Sequence, residues 1–163
     1  MPSAATRNPL FLRDEELDTS LELLTSAHLG LVAAIRPLLD REGLQLDDFT
    51  LLFLLSRRPG LSMTELHQVS GITKQSLSRH VASLAARSLV EVVVDESDRR
   101  LRRVRLTDRA MATLEHPVAV QRSRLKKAFG KVGVNAVEGF REVLQGMAGS
   151  VPQRSPRPAE NGS

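Results

Sequence analysis

Asp98-Arg99-Arg100-Leu101-Arg102-Arg103-Val104-Arg105-Leu106-Thr107 begins at a polar turn and passes into a run where apolar Leu101, Val104 and Leu106 are interspersed with arginine. A second β-rich run, Val90-Glu91-Val92-Val93-Val94, lies just upstream. Two such runs around a polar turn predict a β-hairpin. It carries five arginines, Arg99, Arg100, Arg102, Arg103 and Arg105, within seven residues. Cations so crowded repel one another unless an anion meets them. Guanidinium forks suit phosphate oxygens and narrow, electronegative minor grooves. Taken alone, the segment reads equally well as a solvated sheet edge guarded by charge against aggregation.

The residues before it break the tie. Ser62-Met63-Thr64-Glu65 is a capping box, with the Ser62 hydroxyl and the Glu65 carboxylate each satisfying a backbone N–H at a helix start. Leu66 and Val69 give this short helix an apolar side, and Gly71 permits a tight turn. Thr73 is a second N-cap, and Leu77, Val81 and Leu84 fall at helical spacing after it. Helix, short glycine-containing turn, helix is a helix-turn-helix pattern. Thr73, Lys74, Gln75, Ser76, Ser78, Arg79 and His80 crowd the first two turns of the second helix, opposite its apolar positions. A recognition helix meets base edges with that half: Gln pairs with adenine, Arg or Lys with guanine. The alternative is an ordinary surface helix with a polar face, which the adjoining basic hairpin disfavours.

At this point the chain resembles the MarR-type transcriptional regulators. The matching residues are Pro59-Gly60-Leu61-Ser62-Met63-Thr64-Glu65-Leu66, then Ile72-Thr73-Lys74-Gln75-Ser76-Leu77-Ser78-Arg79, then Leu84 and Leu89-Val90-Glu91. The wing motif of that family is Asp-x-Arg, with Val four residues later, then x-Leu-Thr; Asp98, Arg100, Val104, Leu106 and Thr107 fit each position. Asn8-Pro9-Leu10-Phe11-Leu12-Arg13-Asp14-Glu15-Glu16-Leu17, together with Ile72 to Leu77, looks like the PetP-like branch. The resemblance runs from about Leu44 to Ala110. It implies a mainly α fold with a small β-wing: a winged helix-turn-helix over 44–107, flanked by dimerisation helices over 13–43 and 108–149. An N-terminal arm, 1–12, and a disordered tail, 150–163, complete the organisation. It implies that Arg100 reaches a minor groove, and we expect Asp98 to orient it. Ser62, Thr64, Arg99 and Arg102 join the expected DNA contacts. Two residues depart from the family: Ser88 and Ala110 stand where it usually has glycine. A serine at a left-handed helix terminus costs about 1 kcal/mol more than glycine, so the helix is expected to end differently here.

The flanks support a dimer. Leu17, Leu21, Leu24, His28, Leu31, Val32, Ile35 and Leu38 trace one face of a long first helix that Pro37 should end or kink. Asp47 or Asp48 should cap the next helix, with Phe49, Leu52, Phe53 and Leu55. Thr107 should cap a helix kinked at Pro117, and Val134, Val137, Phe140, Leu144 and Met147 line a last one. A winged helix closes its core with about three helices. The surplus apolar faces must bury against something: a second subunit, or failing that a larger monomeric bundle.

Composition limits the alternatives. Net charge is +4, but residues 57–109 hold eleven Lys and Arg against six Asp and Glu, while the rest holds twelve against thirteen. Positive charge thus concentrates in the winged segment, as nucleic-acid binding requires. With no Trp, no Tyr and five Phe, stacking on single strands is poorly supplied, so duplex DNA, as a pseudo-palindromic operator, is the expected partner. With no cysteine there is no disulfide, thiolate metal site or thiol switch. No 18 apolar residues run uninterrupted and no secretory leader is evident, so no membrane partner and a cytoplasmic location are expected. His28, His67, His80 and His116 lack zinc-like spacing, and we find no phosphate loop, Gly-x-Ser-x-Gly or His-Glu-x-x-His. No enzyme, metal or cofactor is expected. His28 reads first as a satisfied core histidine. The resemblance allows a small anionic aromatic effector between the dimer helices and the DNA-binding lobe, where Arg36 and His28 could supply polar groups. Two function classes remain: a homodimeric regulator, expected to be a repressor, binding specific duplex DNA, and a winged-helix protein–protein module whose basic surface meets an acidic partner.

Overall fold

The computed structural model describes residues 12–148. All of the expected arm except Leu12, and the expected tail, lie outside the described residues. Six helices and one hairpin follow in order: α1 (Asp14–Arg41), α2 (Leu46–Arg57), α3 (Met63–Ser70), α4 (Lys74–Ala86), β1 (Val90–Val94), β2 (Arg102–Leu106), α5 (Asp108–Phe129) and α6 (Val134–Met147). The fold is mainly α with a two-stranded antiparallel sheet, as the sequence implied.

One core joins the end of α1, α2, α3, α4, the hairpin and the start of α5. Ile35 and Leu39 of α1 meet Phe49, Leu51, Leu52 and Leu55 of α2, Leu66 of α3, Leu77, Val81 and Leu84 of α4, Val104 of β2 and Leu114 of α5. Each apolar stripe read at helical spacing in α3 and α4 is the buried one. Burying one such aliphatic side chain contributes about 1.5–3 kcal/mol.

Local chemistry sets the boundaries. At α2 the cap is Gln45, and Asp48 acts from inside the first turn, its Oδ2 accepting the Gln45 backbone N–H at 2.8 Å. Thr107 Oγ1 accepts the Ala110 N–H at 3.2 Å and starts α5. Pro37 does not end α1; the helix continues through it to Arg41, and α5 likewise continues through a buried Pro117. Each proline removes one ladder bond, and neighbouring turns keep the helix going. Helix α4 ends as a glycine-terminated helix would, contrary to expectation. Ser88 takes φ +57°, its N–H reaches Ala85 O at 2.9 Å, and Leu89 N–H reaches Leu84 O at 2.9 Å. That bond pair is the Schellman arrangement, with buried Leu84 and Leu89 supplying its apolar contact.

The outer helices are different. In the single chain, Leu21, Leu23 and Leu29 of α1 are more than half exposed, and α6 buries none of its residues. Phe129 and Phe140, edge to face at 5.7 Å, link α6 to α5. His28, expected in a core, is exposed.

Candidate nucleic-acid interface

Helix α3 starts where Ser62 closes its capping box: Glu65 N–H donates to Ser62 Oγ at 3.2 Å, and Ser62 N–H donates to Glu65 Oε2 at 2.8 Å. It stops at Gly71, whose φ of +67° a side chain would resist. His67 bridges the turn, its Nδ1 lying 2.7 Å from Ile72 O. Thr73 Oγ1 then accepts the Ser76 N–H at 3.3 Å and begins α4. Leu77, Val81 and Leu84 pull one face of α4 into the core. That leaves Thr73, Lys74, Gln75, Ser78 and Arg79 exposed on the other, with Ser76 half-buried.

His80 is the correction on this helix. It is buried; its Nδ1 donates to Asp48 Oδ1 at 2.7 Å and its Nε2 lies 3.5 Å from Asp47 Oδ2. It ties α4 to the start of α2 and leaves the outward set. Ser62 is buried as well, with its hydroxyl committed to the cap, so it offers little to a phosphate. Arg87, unremarked in the sequence, holds the far end of α4, its Nη1 donating to Gly43 O at 3.0 Å.

The hairpin pairs Val90 with Leu106, Val92 with Val104 and Val94 with Arg102. Leu61 and Ser62 lie along its β2 edge: Val104 N–H donates to Leu61 O at 2.9 Å, and Ser62 bridges Arg103. The wing is thereby seated on the start of α3. Arg99, Arg100, Arg102 and Arg105 are exposed. Asp98 does not hold the Arg100 guanidinium; its Oδ1 accepts the Arg100 backbone N–H at 2.9 Å, an Asx turn that shapes the tip. Arg103 is not a free cation either. Its Nε donates to Asp95, its Nη1 donates to Gly60 O at 2.8 Å, and Nη1 lies 3.7 Å from Glu65 Oε2. Asp95 also accepts from the Ser97 hydroxyl and from the Ser97 and Asp98 backbone N–H groups. The Ser97 hydroxyl, then Arg103, hold its carboxyl well below the usual carboxylate range, and Asp95 in turn raises Arg103.

A cleft of about 190 Å³ between the start of α3 and the wing is lined by Ser62, Met63, Thr64, Arg100, Leu101 and Arg102. Thr64, Arg100 and Arg102 therefore share one concavity, while Thr73, Lys74, Gln75, Ser78 and Arg79 stand on the exposed start of α4. A second groove, of about 420 Å³, lies between α2 and α5, with Phe53, Met111, Leu114 and Val118 as apolar wall and Arg57 and Arg122 as cations. Neither Arg36 nor His28 lines it; both are exposed on α1. Among the described residues no group of three or more His, Asp or Glu could hold a metal ion.

A helix-turn-helix with an exposed polar second helix, followed by a basic hairpin docked on its first helix, is a winged helix-turn-helix. The model of the MarR family matches residues 42–101. The HTH-type transcriptional regulator PetP of Rhodobacter capsulatus is 37% identical over 139 residues, spanning 85% of this chain and 83% of PetP. The chain belongs to the MarR family, a family of transcriptional regulators rather than enzymes. Solved structures share the fold. A MarR-family regulator from Silicibacter pomeroyi aligns with TM-score 0.73 and 22% identity, over 91% of this chain and 99% of that one. NadR, solved in complex with 4-hydroxyphenylacetate, aligns with TM-score 0.69 and 18% identity, over 91% and 99%. BpsR of Bordetella bronchiseptica, described for the regulation of its DNA binding by 6-hydroxynicotinic acid, aligns with TM-score 0.61 and 23% identity, over 80% and 98%.

Proposed function

We propose that this MarR-family regulator is a cytoplasmic homodimer that binds a pseudo-palindromic duplex operator and represses transcription from it. The observation that carries the reading is the joint exposure of Thr73, Lys74, Gln75, Ser78 and Arg79 on α4 and of Arg99, Arg100 and Arg102 on the adjoining wing. Ser76 supports the start of α4, and Asp98 shapes the wing tip. The helix would read base edges in a major groove while the wing meets phosphate and the neighbouring minor groove. Helices α1 and α6 would supply the subunit interface. By length and composition alone α1 is also long and apolar enough to cross a membrane. Its C-terminal half packs into the core, and its exposed leucines, like the exposed apolar residues of α6, lie outside that core, so we read both as an interface. Two-fold symmetry would place two recognition helices about one helical turn of DNA apart.

The groove between α2 and α5 suits a small aromatic carboxylate, its ring against Phe53, Leu114 and Val118 and its charge near Arg57 or Arg122. The ligands named for NadR and BpsR are of that class. Selection of duplexes from a random pool by the purified protein tests the main reading. An enriched inverted repeat, released by such a carboxylate, is the expected result. Failure to enrich any sequence would favour the protein–protein module.

A further inference from the structure

We propose that Arg103 is a positioning residue for DNA binding: it makes no contact with DNA itself and acts as the strut that aims the wing arginines. The inference rests on the duplex-binding reading above and concerns how that surface is held. Four groups meet in Arg103. Its Nε takes Asp95, at the far side of the wing loop; its Nη1 takes Gly60 O at 2.8 Å and faces Glu65 Oε2 at 3.7 Å, both at the entrance to α3. Its own backbone lies in β2, bridged to Ser62. One planar guanidinium therefore cross-links the wing loop, the wing strand and the capping box of α3. A fork of fixed geometry can do this and a flexible ammonium cannot do it equally well.

The consequence is geometric. Asp95 also gathers Ser97 and the Asp98 N–H, and Asp98 gathers the Arg100 N–H, so a chain of bonds runs from Gly60 through Arg103, Asp95 and Asp98 to the wing tip. Arg99, Arg100 and Arg102 are exposed, with no bond holding a guanidinium among those described, so the loop backbone decides where they point. Arg103 differs from them: it is mostly covered, its side chain 18% exposed, and its charge is matched by Asp95. A matched, covered cation releases few counterions on binding, whereas an exposed one that neutralises a phosphate releases about one.

The test is a double-mutant cycle on affinity for a duplex selected as above, read across a salt series, with Arg103→Met, Arg100→Ala and the pair. The single Arg103→Met variant is expected to weaken binding about tenfold and to flatten the salt slope by about one, because the Arg100 contact that Arg103 aims is lost with it. Arg100→Ala is expected to flatten the slope by about one in the parent and by much less in the Arg103→Met background. A slope flattened by about two in the double variant would make Arg103 a phosphate contact in its own right and overturn the proposal. Additive losses would overturn it too, since a role limited to fold stability does not couple the two arginines. Hydrogen exchange of the Ser97, Asp98 and Val104 amides provides a readout without DNA. Faster exchange there in both Arg103→Met and Asp95→Asn, with the α4 amides unchanged, is expected; parent-like exchange would refute the strut. If the parent protein binds no duplex, faster wing exchange retains the brace while the DNA reading fails.

Discussion

Exposed side chains at the start of α4 divide into those used by the fold and those left over. Thr73 spends its hydroxyl as a cap acceptor, whereas Lys74, Gln75, Ser78 and Arg79 have no such duty among the described bonds. Replacing Gln75 or Arg79 with Ala is expected to cost about 1–3 kcal/mol on the selected operator and less on random duplex. Equal losses on both DNAs, measured by fluorescence anisotropy, would demote them to backbone contacts. His80 shows where residue-level reading stops. Its type and place in the sequence match the outward set, yet α4 turns it toward α2, and burial next to Asp48 decides its role. His80→Ala leaves a buried carboxylate oxygen without its donor, so it is expected to lower stability by about 1–3 kcal/mol in denaturant unfolding. An unchanged unfolding midpoint would contradict that assignment. Arg103 was legible as a cation but not as a brace. Its partner Asp95 sits diagonally across the hairpin, a relation visible only once the pairing of Val93 with Arg103 is known.

At the scale of elements, the helix-turn-helix and wing were readable because capping boxes, Gly71 and the apolar spacing of α3 and α4 act locally and agree with one another. The ends of α1 and α4 were not. Pro37 is a local stop signal that tertiary packing of Ile35 and Leu39 overrides, and Ser88 accepts a left-handed backbone because Leu89 must reach the core. Ser88→Gly relieves that conformation and keeps the carbonyl that Thr107 Oγ1 donates to at 2.8 Å. The substitution is expected to stabilise the fold by about 1 kcal/mol, read as a higher thermal midpoint. A lower midpoint would show that Ser88 contributes more than its backbone. Asp95 gives the wing an expected response to acid. Asp95 has its folded-state pKa depressed by the Ser97 hydroxyl and Arg103. Its contribution is therefore fully present above the unfolded carboxylate value of about 4 and is lost as pH falls from there toward the depressed value. Wing amide exchange is expected to accelerate over that acid range in the parent and to show a weaker pH response in Asp95→Asn. A parent wing indifferent to acid would count against the anchor.

The whole molecule poses the question of what covers its outer helices. Exposed leucines on α1 and an α6 with no buried residue were legible as apolar stripes, but a stripe does not say what it packs against. Membership of the MarR family and the uneven charge, basic in the winged segment and balanced elsewhere, favour a second copy over a membrane. The groove between α2 and α5 was not readable at all, since Arg57 and Arg122 come together only when those two helices pack. A dimer binding one operator is the claim on which the rest depends. Sedimentation of the protein at micromolar concentration, alone and with a labelled selected duplex, tests it most directly. The expected result is a free species of two 17.9 kDa chains and a complex of two chains on one duplex, weakening as salt rises. A monomer that remains a monomer, or a duplex left unbound at low salt, would contradict it.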